Sequence, residues 1–255
     1  MQRRYVGHNL RHARPALSLP ISDYALIGDT HSTALVARDG SIDWLCWPRH
    51  DSPALFLRLL DDEKGGCCRL HLSDLRATTR RYLPGTNVLE TTFTTATGTA
   101  RLTDLMPVSP PSPEPDEGPD GEGESRLIRL LTCDDGRVEG RFCVHPTFDY
   151  ARCDCVPCET GGSILFEAGD QRLRAMGSGR LTLEGPSAWL DVSLEAGQSA
   201  YLVLTHGEDD ERAGIEDWEG ACRRLDQTRT YWERWSGQCR YDGPIARRSC
   251  EARSA

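Results

Sequence analysis

Two tryptophans, an arginine and an aspartate crowd into the run Trp44-Leu-Cys-Trp47-Pro-Arg49-His-Asp51. Indole faces stack on flat or sugar-ring surfaces, and an arginine beside a carboxylate offers both donors and acceptors to hydroxyl groups. Such a cluster could grip something planar or hydroxylated. The same residues admit a plainer reading, with both tryptophans in a core or domain interface and Arg49 and Asp51 as a structural ion pair.

A second cluster has metal-ligand character: Cys153-x-Cys155-x-x-Cys158, with Cys143 and His145 upstream. Zinc takes paired thiolates two to four residues apart and a second pair at a distance. Cys155 and Cys158 meet the first condition, but Cys143 and His145 make only an improvised second pair. Pro157, Gly161 and Gly162 mark the stretch as an exposed loop. The expectation is therefore free thiols and no metal or other cofactor, with zinc at Cys153, Cys155 and Cys158 as the lesser alternative. Acidic runs at 208–211 and 216–219 are read as the solvated start of a helix and not as paired carboxylates for catalysis. There is no Gly-x-Ser-x-Gly elbow, Walker loop or dinucleotide fingerprint.

The elements that must position these residues are mostly strands. Apolar runs on either side of Asp39-Gly40 predict a hairpin over 33–46 with a type I′ turn, ended by Pro48. Asp51, Ser52 and Pro53 look like the cap and first turn of a short helix over 54–60. Strands follow at 68–72, 87–95 and 99–105. In the second of these, Val88, Glu90 and Thr92 fall on one face and Leu89, Thr91 and Phe93 on the other. Residues 107–125 hold six prolines and six acidic residues with no basic one, and are expected to form a mobile, dispensable insertion. Strands resume at 126–132, 137–145, 163–166, 171–176, 180–183, 188–194 and 199–205. Many short strands punctuated by glycine predict an all-β antiparallel β-sandwich. Residues 1–19 are expected to be a loose arm ahead of a sandwich domain over 20–207.

From residue 208 to 237 the period becomes helical. Ile215, Trp218, Cys222, Leu225, Trp232 and Trp235 fall on one stripe, with Gly237 after the last turn. That stripe must cover the sandwich or meet another domain. An exposed face of this kind predicts self-association.

Composition narrows the partners. Thirty basic against 39 acidic residues give a net charge of −9, which argues against nucleic acid or an anionic membrane surface. Lysine occurs once, at Lys64, so the basic residues are almost all arginine. No run is long enough to cross a bilayer and no signal-peptide pattern is readable. Eleven cysteines without a signal are read as reduced thiols in the cytoplasm.

Longer motifs carry a resemblance. Asp23-Tyr24-Ala-Leu-Ile-Gly28-Asp29, Asp39-Gly-Ser-Ile-Asp43-Trp44-Leu-Cys46 and Pro48-Arg49-x-Asp51-Ser-Pro-Ala54 are joined by Arg81-Tyr82-x-Pro84-Gly85-Thr86-x-Val88-Leu-Glu90-Thr91. Thr103-Asp104-x-Met106-Pro107, Phe148-Asp149-Tyr150 and Thr230-Tyr231-Trp232-x-x-Trp235 then follow in order. Over about residues 20 to 245 the chain resembles the trehalase-like N-terminal domain of bacterial glycoside hydrolase family 15, the glucoamylase, glucodextranase and trehalase group. One departure is His50, where that family more usually has an aromatic such as phenylalanine.

The resemblance implies a super-sandwich fold with a C-terminal linker helix over 208–237, leading at 238–255 into the start of an (α/α)6 barrel. It further implies that the complete enzyme hydrolyses trehalose or another α-glucoside with inversion through two glutamates of that barrel. Neither glutamate maps onto this sequence, so no catalytic residue is assigned and the chain alone is expected to be inactive. Trp44, Trp47, Arg49 and Asp51 would then sit at the substrate rim or against the barrel, and Trp218, Trp232 and Trp235 on the interdomain helix face. An autonomous carbohydrate-binding or assembly module is the competing reading: exposed tryptophans favour binding, buried ones scaffolding.

Overall fold

The structure, a computed structural model, describes residues 19–108, 125–153, 155–207 and 217–238. The expected arm at 1–19 lies outside these except for Leu19. The acidic insertion lies outside except for its two ends, and so do the helix start at 208–216 and the final segment after Gln238.

The fold is the expected all-β sandwich, with fifteen strands and one α-helix among the described residues. One sheet runs β1 (Tyr24–Gly28), β2 (Thr33–Ala37), β3 (Ile42–Cys46), β5 (Cys67–Leu72), β9 (Arg126–His145), β14 (Ser187–Glu195) and β13 (Thr182–Glu184), with β4 (Ala54–Phe56) also paired to β3. The other runs β6 (Leu75–Tyr82), β7 (Leu89–Thr95), β8 (Gly98–Leu105), β9, β15 (Ser199–His206), β12 (Gln171–Gly177), β11 (Ser163–Ala168) and β10 (Val156–Thr160). All pairings are antiparallel.

Strand β9 belongs to both sheets. Its first half pairs with β8 and β15, its second half with β5 and β14. The sequence suggested two strands here, at 126–132 and 137–145. The structure instead folds one continuous strand through both, with a corner between them. Gly136 sits at φ +66°, and a Cβ there would lie 2.2 Å from the Thr97 carbonyl oxygen, so the corner needs a residue without a side chain. The two halves then face each other across the core, with the Arg129 guanidinium 5.8 Å from the Phe142 ring centre.

The main core fills the space between the sheets with residues such as Ile27, Leu45, Trp47, Phe56, Phe93, Leu131, Phe142 and Phe166. Leu89 and Phe93 point into it while Val88 joins a second cluster on the far side, as the period of two required. That second cluster comprises Leu105, Ile128, Leu130, Tyr201 and Val203 under the helix α1 (Trp218–Gly237). The first half of β9 is thus buried on both faces.

Three local expectations change. The 33–46 hairpin forms, but Gly40 alone takes a positive φ, +77°, and Gly40 N donates to the Ala37 carbonyl at 3.0 Å. The connection is therefore a longer turn that closes on the bond from Ala37 N to Ser41 O at 2.7 Å, with a register shift at Leu35/Val36, and not type I′. The helix expected at 54–60 is instead the short strand β4, because Ala54 and Phe56 pair with Cys46 and Leu45. Residues 75–82, not expected to be regular, form the edge strand β6.

The helix stripe is also rotated from the expected one. Asp217 caps the first turn by accepting from Gly220 N at 2.7 Å. The face on the sheet carries Trp218, Ala221, Leu225 and Thr228, with Ala221 and Thr228 buried and Cys222 half-buried to one side. Ala221 and Thr228 let the helix approach the sheet closely, while Trp232 is half-buried and Trp235 exposed.

Candidate functional site

The loop after β3 is held at both ends and free at its tip. Trp47 is fully buried in the main core, its ring centre 6.2 Å from that of His206 at the end of β15. From there the chain turns through Pro48 to an exposed tight turn, in which Arg49 N donates to Ser52 Oγ at 3.1 Å and Ser52 N to Arg49 O at 3.1 Å. Arg49 Nε lies 3.3 Å from Asp51 Oδ1, with the side chains 70% and 80% exposed. Trp44 is half-buried beside Cys46, Ala54 and Leu57. Of the four residues singled out, Trp47 offers no face to a ligand, Arg49 and Asp51 meet in solvent, and Trp44 shows part of its ring.

The neighbouring turn between β1 and β2 fixes this loop. His50 N donates to the His31 carbonyl at 3.1 Å. Asp29 Oδ1 accepts from His31 N at 2.9 Å and from Ser32 N at 2.7 Å, and Ser32 Oγ donates to the Cys46 carbonyl. Burial pushes the Asp29 carboxyl above its usual range, opposed by the two backbone N–H groups. Motif residue Asp29 thus shapes a turn. His206, which the sequence did not mark, is the residue that packs on Trp47, and nothing in its local sequence announces that contact.

The other motif carboxylates are equally committed. Asp43 accepts from Tyr24 Oη at 3.0 Å and Ser41 Oγ at 2.5 Å and pairs with Arg58 Nη1 at 3.2 Å. Tyr24 is pushed well above the ordinary phenol range by burial and by Asp43. Glu90 takes Arg81 Nε at 2.7 Å and Arg101 at 3.6 Å. Asp104 is paired with Arg129 in the core. Every buried carboxylate among the described residues therefore holds structural partners.

The helix carries an aromatic group at its C-terminal end. Trp232 meets Tyr231 and Trp235 edge to face at 5.3 Å and 5.8 Å. Trp218 packs on the second cluster, Trp232 is half-buried and Trp235 is 59% exposed. Ser236 Oγ donates to Gly85 O at 2.9 Å, which ties the helix to the motif turn at 84–87, and Val108 N donates to Thr228 Oγ1 at 3.4 Å beyond the end of β8.

Of the cysteines, Cys153 and Cys158 are exposed and Cys155 is half-buried at the outer edge of the second sheet, while Cys143 and His145 lie on the second half of β9 in the first. Among the described residues no three His, Cys, Asp or Glu side chains converge as a metal site. Burial pushes Cys155 to about 11 and Cys143 to about 12, which keeps both as thiols, and the nine cysteines among the described residues are free. No described helix is long and apolar enough to cross a membrane.

Fold and loops together define a β-sandwich domain with a helix strapped across one face. The family described as trehalase-like, N-terminal matches residues 14–161, more than half of the chain, and this chain belongs to it. It is 30% identical over 246 residues to the trehalase of Mycolicibacterium smegmatis, covering 90% of this chain and 36% of that protein. The trehalase of Mycobacterium tuberculosis is 30% identical over 232 residues, covering 85% and 34%, and that of Thermoplasma volcanium 26% identical over 226 residues, covering 88% and 35%. The chain spans about a third of the length of these relatives. A solved structure of a putative kojibiose phosphorylase from human microbiome aligns with a TM-score of 0.39 and 12% identity over 86% of this chain and 34% of that one.

Proposed function

We propose that this chain is the N-terminal accessory domain of a family 15 glycoside hydrolase of the trehalase or glucoamylase type, and that it does not break glycosidic bonds itself. The observation that carries the reading is coverage: nearly all of this chain aligns with only about a third of a trehalase's length, and the matching family is described as N-terminal. Inverting glycoside hydrolysis needs a free acid and a free base on opposite sides of the bond. The buried carboxylates here are instead tied to arginines, hydroxyls and backbone N–H groups, which supports a scaffolding role. Trp232 and Trp235 would face the catalytic barrel of the complete enzyme, and the Arg49–Asp51 tip would reach its rim and contact trehalose or a related α-glucoside. The free thiols support a reducing compartment such as the cytoplasm, in a bacterium.

The test is a domain exchange. Substituting this chain for the matching segment of the Mycolicibacterium smegmatis trehalase should give an active enzyme, while the isolated chain should release no glucose from trehalose, maltose or starch. An inactive, well-folded chimera, or glucose release by the isolated chain, would overturn the proposal. A second reading, an autonomous carbohydrate-binding module, is favoured by the exposed Arg49–Asp51 tip beside Trp44. It predicts saturable binding of trehalose or a maltooligosaccharide, lost in Arg49→Ala.

A further inference from the structure

The two sheets end in free edges on the same side, β1 of one and β6 of the other. No ladder joins them. Tyr82 Oη instead accepts from Leu26 N and donates to Leu26 O, both at 2.8 Å, and Arg80 Nη1 donates to Asp23 O at 2.8 Å and Val36 O at 3.1 Å. These side-chain staples hold the edges apart and leave a groove of about 510 Å³ lined by Tyr24, Leu26, Arg38, Arg80, Arg81 and Tyr82. That volume lies within the span of ordinary small-molecule sites, roughly 300–1,000 Å³.

The groove concentrates positive charge in a chain whose net charge is −9. Arg81 is tied to Glu90, and Arg38 Nε to Asp23 Oδ1 at 2.6 Å. Arg80 spends one nitrogen on two carbonyls, and among the described residues no carboxylate lies within ion-pair distance of it. Burial, and then the like charge of Arg38, hold Arg80 below its ordinary range, opposed by Tyr82 and Asp23. Guanidinium forks match the several oxygens of a phosphate, and Tyr24, Leu26 and Tyr82 give the same groove an apolar wall.

We propose that the groove between β1 and β6 binds a small phosphate-bearing ligand, with its oxyanion between Arg38 and Arg80 and the rest of the molecule along the Tyr24, Leu26 and Tyr82 wall. The inference is independent of what the chain does in a larger enzyme.

Calorimetry on the full chain at low ionic strength tests it, with inorganic phosphate, glucose 6-phosphate and glucose as titrants and amide NMR to locate the change. Saturable one-site binding of phosphate or glucose 6-phosphate, none of glucose, and shifts at Thr79 and Arg80 are expected. Tighter binding of the ester would assign a phosphate monoester, and equal binding free phosphate. Arg38→Gln and Arg80→Gln should each weaken binding about tenfold or more, as the loss of a charge-assisted contact does. Arg172→Gln, on β12, should not. Because the Arg38 side chain is 66% exposed, its variant remains informative even if Arg80→Gln fails to fold. Absence of saturable binding in the millimolar range, affinity unchanged in Arg38→Gln, or shifts confined to another face would overturn the proposal.

Discussion

Arg129 and Asp104 form an ion pair in which both side chains are fully buried, with Nε 2.8 Å from Oδ1 and Nη2 3.3 Å from Oδ2. Arg129 Nη1 also donates to the Cys68 carbonyl at 2.8 Å and Nη2 to the Gly40 carbonyl. One guanidinium thus binds β8, β5 and the β2–β3 turn to β9. Burial opposes its charge, but Asp104 outweighs burial and holds Arg129 above its ordinary range.

Removing one partner leaves a buried charge without compensation. Asp104→Ala or Arg129→Met should each cost about 3–5 kcal/mol in urea unfolding, and the double replacement less than the sum of the two. A loss below about 1 kcal/mol for either single variant would contradict the role given to this pair.

Gly40 combines a φ of +77° with a hydrogen just beneath Phe93, where a Cβ would lie 2.8 Å from Cζ. Gly40→Ala therefore adds backbone strain to a clash in the core and should lower stability by about 1–3 kcal/mol. Gly161→Ala, also at positive φ but with open space around it, should cost less. Thermal melts of the two variants make the comparison.

His206 is pushed down to about 4 by burial against Trp47. Below about pH 6.5 the unfolded chain takes up a proton there that the folded chain refuses until about pH 4, so stability should fall as pH is lowered through that window. The contribution is on the order of 2 kcal/mol. His71 and His145 are depressed in the same direction, so the test is the difference between wild type and His206→Phe at pH 7 and pH 4.5. Parallel pH profiles for the two chains would refute it.

Trp235 is 59% exposed at the end of α1. Trp235→Ser should leave unfolding free energy within about 0.5 kcal/mol, as changes away from packed features do, yet reduce self-association in sedimentation at micromolar concentration. Trp232→Ser should cost more, because its half-buried ring is clasped by Tyr231 and Trp235.

What the sequence determined by itself was local. The alternation of Leu89, Thr91 and Phe93 against Val88 and Glu90 follows from the pleat of a strand, and the spacing of Trp218, Cys222 and Leu225 follows from the turn of a helix. The order of the motifs likewise marked the family before any contact was known. Tertiary structure decided the rest. Residues 54–56 are a strand because β3 offers them a ladder, and 75–82, rich in Arg and Thr, are a strand because an edge pairs on one side only and needs no apolar face. Asp104 and Arg129, 25 residues apart, meet only once β8 and β9 are in register. The fate of Trp44 to Asp51 was undecided for the same reason: aromatic and charged residues at that spacing suit a core or a surface equally. Only the packing of β15 against the loop buries Trp47 beside His206 and leaves Arg49 and Asp51 in water, because burial depends on neighbours that are distant in the chain.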